Sequence, residues 1–440
     1  MEVTLCGKFR RLAVTIFVFN IFLCDKTDAQ FTSQFSLAVG EEYNDNIFFS
    51  KQKEHDFITN ITPTLSLVYQ PAGRQAPTFN VNISPTALIF ARHSDQNNFG
   101  RNLGLNGSYR YDYSPRLSFY LGDALQTRGT TRTVGLGENQ TLQGPRIPFT
   151  PGTPGLPAAQ RLGDFISNGE TVDNSVFFQG DYLFSPNITI SGGYRNGFTA
   201  FLDRGGNEIR HSAGMRGVYR WGQEHNIHAG YTVDVIKSRD GKNNIVHNFD
   251  IGDDYFSSRQ IQLTPTLTIT ASSGISLNAG NDGPRIANNT NVTLTKIWET
   301  AIFTGGVRKG LTSSFGVSDI SDTVNVYSDF RIRLTDRLSG SAGVDYALFN
   351  TDDVNFKPFQ AYGGLQYAVT HWLCSNLTYR HRRLFSGPGG RNTDLRTEGN
   401  VYGNSVLLNF SVRFNIWPAV GLAAACPVSI PTPAPQSFPQ

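Results

Sequence analysis

One pattern limits what this chain can become more than any other: oily and polar residues alternate one by one, and the alternation keeps returning. In DFITNITPTLSLVYQ, residues 56–70, Phe57, Ile61, Pro63, Leu65, Leu67 and Tyr69 share one parity, while Asn60, Thr62, Thr64, Ser66 and Gln70 share the other. Successive side chains of an extended chain point to opposite sides, so this segment is a strand with one oily and one wet face. About 18 such segments run from Phe31 to Phe414, and nothing between them has a helical period, which argues against βαβ units. The composition agrees with strands and tight turns: 44 Gly, 32 Phe and 17 Tyr against 2 Met.

The connections sort into two kinds. Short ones fall at 114–116, 185–187, 222–224, 257–260, 298–300, 335–336 and 370–372; longer, Gly- and Asn-rich ones fall at 40–56, 238–244, 272–287, 312–322 and 385–400. Short turns at one end and long loops at the other are the layout of a transmembrane barrel. Trp221, Trp298 and Trp372 border short turns and Trp417 follows the last strand, which gathers all four Trp at one end. Tyr69, Tyr113, Tyr255 and Tyr367 join them there. Trp and Tyr favour the membrane–water interface because their rings are half oily and half polar.

Charges decide which face meets what. If the oily parity faces lipid, strand charges belong on the other one, and they keep to it: Arg110, Asp112, Asp181, Arg195, Arg216, Arg220, Asp234, Asp250, Arg308, Asp329, Arg331, Arg333, Asp345, Arg380, Arg382 and Arg413. A cation facing lipid costs roughly 2–4 kcal/mol at mid-bilayer and almost nothing at the interfaces. The exceptions follow that gradient, with Glu41, Arg101, Asp123, His211, His247, Lys309 and His381 near long-loop ends and Asp253 and Lys296 near short turns. A soluble sandwich shares the alternation, but it would need two large sheets with covered edges, and no edge-protecting segment is visible. The expected fold is therefore all-β: a transmembrane up-and-down antiparallel β-barrel of about 18 strands.

At that strand number the bore is wide, with a backbone diameter of roughly 35 Å, and its wet parity makes the listed inward charges pore-lining candidates. Arg outnumbers Asp among them, which favours anions. Opposed Arg–Asp pairs serve equally as wall-bracing networks, and Tyr, Gln, Asn and Arg on a wall also suit saccharides. The candidate constriction is the loop at about 128–172, GPRIPFTPGTPGLPAAQRLGDF within it, with Arg128, Arg132, Arg146 and Arg161 at the eyelet. The alternative is a surface loop.

The ends carry separate signals. Lys8, Arg10 and Arg11, the apolar run LAVTIFVFNIFLC and the sequence TDA read as a secretory signal cut after Ala29. The run is short for a membrane-spanning helix. Leu23 before Cys24 argues against lipidation there. Of four Cys, Cys374 and Cys426 then remain, which excludes a disulfide-built scaffold and allows a single bridge. The domain order is signal 1–29, barrel 30–417 and a Pro-rich tail 418–440, read as a disordered extension.

Several function classes fall away. A net charge of +3 without a basic tract argues against nucleic acid. His225 and His228, three apart on a strand, face opposite ways and do not share a metal, and no cofactor motif is present. HRR at 381–383 reads as a rim charge cluster. No nucleophile elbow occurs, so an enzyme is not expected.

The hairpin at 41–67 resembles that of the beta-barrel porin 2 family: Tyr43, Asp45, Asn46, Ile47 and Phe48, a short charged loop, then Asp56, Phe57, Ile58, Thr59 and Pro63. Beyond it only the barrel rhythm is shared. The resemblance implies a bacterial outer-membrane barrel, in some members tied to surface-polysaccharide systems, and it carries no catalytic residues. The expected partners are outer-membrane lipid, small hydrophilic solutes or saccharides, the barrel-assembly machinery and further copies of the chain. Three functions stay open: a porin-like channel of a Gram-negative outer membrane, a conduit for exopolysaccharide, or a non-conducting structural or surface-binding barrel.

Overall fold

The computed structural model describes residues 30–71, 77–128, 170–202, 207–222, 224–237, 243–257, 267–280, 283–313, 320–350, 355–386, 400–417 and 421–422. The signal segment, most of the 128–172 loop with Arg132, Arg146 and Arg161, and residues 423–440 lie outside them, as does the Arg128 side chain. In chain order the strands are β1 (Gln30–Asn44), β2 (Asp56–Gln70), β3 (Thr78–Phe90), β4 (Asn98–Ser114), β5 (Leu117–Arg128) and β6 (Thr171–Ser185). Next come β7 (Ile188–Phe201), β8 (Asn207–Trp221), β9 (His225–Lys237), β10 (Asn243–Ser257), β11 (Leu267–Gly280) and β12 (Gly283–Ile297). The last are β13 (Ala301–Ser313), β14 (Ile320–Arg333), β15 (Leu338–Asn350), β16 (Asn355–Ala368), β17 (Leu373–Ser386), β18 (Val401–Trp417) and the two-residue β19 (Gly421–Leu422).

From β1 to β18 each strand pairs antiparallel with the next, and β1 pairs with β18 from Ser33↔Trp417 to Asn44↔Ser405. The sheet therefore closes, and its long strands have no free edge. Strands of 12 to 17 residues exceed the length a tilted strand needs to cross a bilayer and project beyond it.

The parity seen in the sequence becomes an inside-out burial pattern. In β2, Phe57 is 46% exposed while Asp56, Asn60, Thr62 and Thr64 are buried. Around the barrel Leu121, Phe178, Tyr194, Phe249, Val292, Val326, Leu365 and Phe410 face outward, whereas Gln179, Asp234, Asn248, Ser276, Asn325 and Asn409 are buried inside. Buried polar residues outnumber buried apolar ones, the reverse of a soluble core. The chain is a transmembrane barrel that turns its oily rows to lipid.

Two connections differ from expectation. Residues 272–287 are not a long loop: β11 and β12 run through them, pairing as far as Gly280↔Gly283. Their Ser, Gly and Asn content hides a strand whose oily row is carried by Ile275 and Ile286. The turn expected at 257–260 and the start of the strand expected from Ile261 lie outside the described residues, which resume at Leu267 in β11. The first loop is also narrower than 40–56, because β1 continues to Asn44. In the described part of the tail, Gly421 and Leu422 pair back with Asn415 and Phe414. β18 pairs with β17 only down to Val412, so β19 covers part of the edge left below it. Cys374, buried on the inner side of β17, is disulfide-bonded, and Cys426 lies outside the described residues.

Candidate functional site

The inner wall is the candidate site. Every sequence-derived lining residue, from Arg110 and Asp112 on β4 to Arg380 and Arg382 on β17, occupies the inward row of its strand. Cross-strand register ties many of them together. Arg210 Nη2 lies 3.1 Å from Asp234 Oδ2, and Ser212 also donates to Asp234. Asn248 Nδ2 reaches the same carboxylate at 3.4 Å, and Ser276 Oγ donates to Asn248 Oδ1 at 2.6 Å. One network thus spans β8 to β11. Lower on the same wall, His228 stands 3.7 Å from both Asp250 and Asp254, with Arg216 3.6 Å from Asp254. Asn325 donates to Asp345 at 3.0 Å. Arg110–Asp112 and Arg331–Asp329 pair along single strands, two residues apart, at 3.0 and 2.9 Å. Of the sequence-derived arginines with an ion pair, Arg216 reaches a carboxylate on another strand, whereas Arg110 and Arg331 pair only within their own strands. Arg195 bonds Ser175 at 2.9 Å instead, and no carboxylate meets Arg308 among the described residues.

Sequence reasoning missed several inward charges: Glu42, Asp56, Arg210, Glu208 and Asp254 all fall on the wet parity. Most are acidic, which reduces the Arg excess. Strand parity alone reveals them once strand limits are known, but their pairing needs the register between strands. His225 and His228 do face opposite ways, with outward His225 2.5 Å from Asp253. Among the described residues no metal-binding cluster occurs.

Two tyrosines lie across glycines to reach hydrogen-bond partners two strands away. A Cβ on Gly343 of β15 would meet the Tyr362 ring at 2.5 Å, and over that gap the Tyr362 hydroxyl donates to Asp329 on β14. Gly306 of β13 likewise makes room for Tyr327, whose hydroxyl lies 2.9 Å from Thr293 Oγ1 on β12.

The mouth at the long-loop end holds what the sequence did not foretell. The first loop, residues 45–55, folds into the barrel. Ile47 is fully buried against Ile58, Leu88 and Phe90, residues of the inward rows, which turn apolar at this height. Phe49, with φ 47°, is also buried, and the Arg382 guanidinium lies 5.7 Å from its ring centroid. Asn46 fixes the turn: its Nδ2 donates to Ser50 O at 2.8 Å and Tyr402 O at 2.9 Å, and its Oδ1 accepts from Ser50 N at 2.9 Å. Asp45 accepts from Asn404 N at 2.6 Å and Asn404 Nδ2 at 2.8 Å, and pairs with Lys53 at 3.0 Å. Burial opposes ionisation of Asp45, but the Asn404 bonds and Lys53 outweigh it and hold the carboxyl below its usual range.

Asp56 joins this loop to the next one. It is fully buried and accepts from the backbone N–H groups of Arg92 and His93, both at 3.0 Å. His93 presents Nδ1 to Asp56 at 2.8 Å and Nε2 to Glu54 at 3.0 Å. The bond to Asp56, aided by Glu54 against a smaller opposing effect of burial, raises the His93 pKa above its ordinary value. Asp45, Asn46, Ile47, Asp56 and Ile58 of the first hairpin thus take part in this inward clasp.

The interface aromatics lie where the strand ends put them. Trp221 and Trp298 are exposed beside short turns, Trp372 is half-buried at another, and Trp417 ends β18.

A closed barrel, oily outside and polar inside, defines the class: a transmembrane β-barrel of the bacterial outer-membrane type. Its fold is similar to that of Pseudomonas aeruginosa OccK2 (OpdF) in complex with glucuronate, with a TM-score of 0.50 at 10% identity, covering 88% of this chain and 98% of that chain. A second structure of OccK2 gives a TM-score of 0.49 at 11% identity, with 88% and 98% covered. Pseudomonas aeruginosa OpdO gives 0.48 at 10%, again with 88% and 98% covered. No family model matches the sequence, and no curated protein matches it.

Proposed function

We propose that this chain is an outer-membrane porin-like channel that passes small hydrophilic solutes and catalyses no reaction. The single observation that carries the reading is the inner wall, a mainly polar lining with Arg and Asp from most strands inside an apolar shell. The resemblance of the hairpin at 41–67 is what supports placement in the beta-barrel porin 2 family, and Asp45, Asn46, Ile47, Asp56 and Ile58 of that hairpin take part in the clasp at the mouth. Assembly by the outer-membrane barrel machinery and association with further copies belong to the same reading.

The bore is uneven. Near the short-turn end Arg110 and Arg331 side chains are 51% and 59% exposed. Toward mid-wall and the long-loop end, Asn60, Ser276 and Asn278 are buried. An open bore of roughly 35 Å would wet that whole wall. The burial favours a narrowed upper half, with the 128–172 loop and its Arg128, Arg132, Arg146 and Arg161 as the narrowing element beside the inward first loop. The same burial also favours a second reading, a non-conducting barrel with a filled lumen.

Planar-bilayer recording separates them. A channel gives discrete conductance steps that grow when residues 130–168 are removed. Glucuronate, named in the OccK2 complex, joins an anionic group to a sugar and so suits both Arg and the hydroxyl- and amide-rich wall. It is the solute to test first as a blocker. Block by neutral oligosaccharide, but not by glucuronate or salts, points to a polysaccharide conduit. Silence in both proteins leaves the non-conducting barrel.

A further inference from the structure

The HRR run at 381–383 is divided by its own strand. Arg382 points inward and is buried, while His381 and Arg383 stand on the lipid-facing row of β17, close to its long-loop end. Arg383 pairs across the sheet with Phe359 of β16 and Tyr402 of β18, and its guanidinium lies 4.2 Å from the Phe385 ring centroid. Lys357 is exposed and stands opposite Phe385. Lys53 Nζ lies 3.5 Å over the Tyr402 ring and is the cation of the group that meets a carboxylate, Asp45. Among the described residues, Arg383 and Lys357 meet none.

Two unmatched cations framed by Phe359, Phe385 and Tyr402 thus occupy the outward face at the height where membrane gives way to water. A cation costs almost nothing there, yet it draws a counter-ion. A guanidinium offers a planar fork of donors that suits phosphate oxygens, an ammonium adds a second point charge, and the rings sit well at the headgroup boundary. We propose that the outer face of β16–β18 at the long-loop end binds, through its phosphate, a lipid of net negative charge in the adjoining leaflet. This rests on the membrane-spanning fold and not on conduction.

Native mass spectrometry of the whole barrel, released from neutral detergent doped with phosphatidic acid or phosphatidylcholine, tests it. The expected result is a retained phosphatidic acid adduct, about tenfold more abundant than the phosphatidylcholine adduct. The K357Q/R383Q variant lowers that preference about tenfold. Lys296→Gln, on the lipid-facing row at the short-turn end, leaves it unchanged, and Arg383→Lys keeps part of it. Equal retention of the two lipids overturns the proposal, as does an unchanged preference in K357Q/R383Q or an equal loss in K296Q. Conversion of an oligomer to monomers by K357Q/R383Q, with no change in lipid retention, also overturns it and reassigns the patch to contact between copies. Heat-dependent gel mobility shows that each variant is folded. None of these outcomes bears on conductance.

Discussion

Asn46 and His93 hold the mouth of the barrel through contacts whose loss can be read one at a time. Asn46→Ala leaves Ser50 N and the carbonyls of Ser50 and Tyr402 without their partner. Unsatisfied buried groups cost about 1–3 kcal/mol, so guanidinium unfolding in detergent should show a loss in that range. His93 faces carboxylates with both ring nitrogens, an arrangement only the imidazolium satisfies. Its pKa is raised in the folded protein, so its stabilising effect is complete below the ordinary His value of 6.5 and is lost as pH rises through the raised one. Protease cleavage of the 45–55 loop should therefore accelerate through that window, and His93→Gln should flatten the profile. A flat wild-type profile contradicts the assignment. Asp45, held below its usual range, acts oppositely, stabilising at neutral pH and failing only as pH falls through the lowered value. None of this was legible in the sequence. Ile47 and Phe48 read as hairpin residues, and only the long-range bonds to Tyr402 and Asn404 and the burial of Ile47 and Phe49 show that the loop turns inward.

The strands were legible because lipid and water act on each side chain separately, so parity survives without knowledge of neighbours. Arg216 and Asp234 could be placed inward from Tyr219 and Val235 alone. Where small residues dilute the oily row, as between Ser272 and Ala287, the signal fades, and a strand pair passed for a loop. Pairing was not legible at all, since Arg210–Asp234 and Tyr362–Asp329 depend on register between strands. Gly343 makes that dependence testable. Its Cβ would displace the Tyr362 ring, so Gly343→Val should destabilise the barrel by about 1–3 kcal/mol through overpacking. Adding Tyr362→Ala should recover part of that loss, because it removes the clash. If the two substitutions simply add in urea unfolding, the Tyr362 ring does not lie over Gly343.

At the scale of the whole molecule, closure through β1–β18 and the inside-out burial pattern place 18 strands in a bilayer with their polar rows inside. Val307, exposed at the middle of β13, is a direct probe of the lipid side. Val307→Arg should cost roughly 2–4 kcal/mol in folding into phospholipid bilayers, whereas Arg308 beside it is accommodated because it points inward. The measurement closest to the central claim is a spin-label scan of positions 60 to 65 in bilayer-embedded protein, read with oxygen and a water-soluble nickel chelate. The account gives an alternation with a period of two, in which Ile61, Pro63 and Leu65 are accessible to oxygen while Asn60, Thr62 and Thr64 are shielded from it. Uniform accessibility, or the opposite phase, would show that the oily rows do not face lipid.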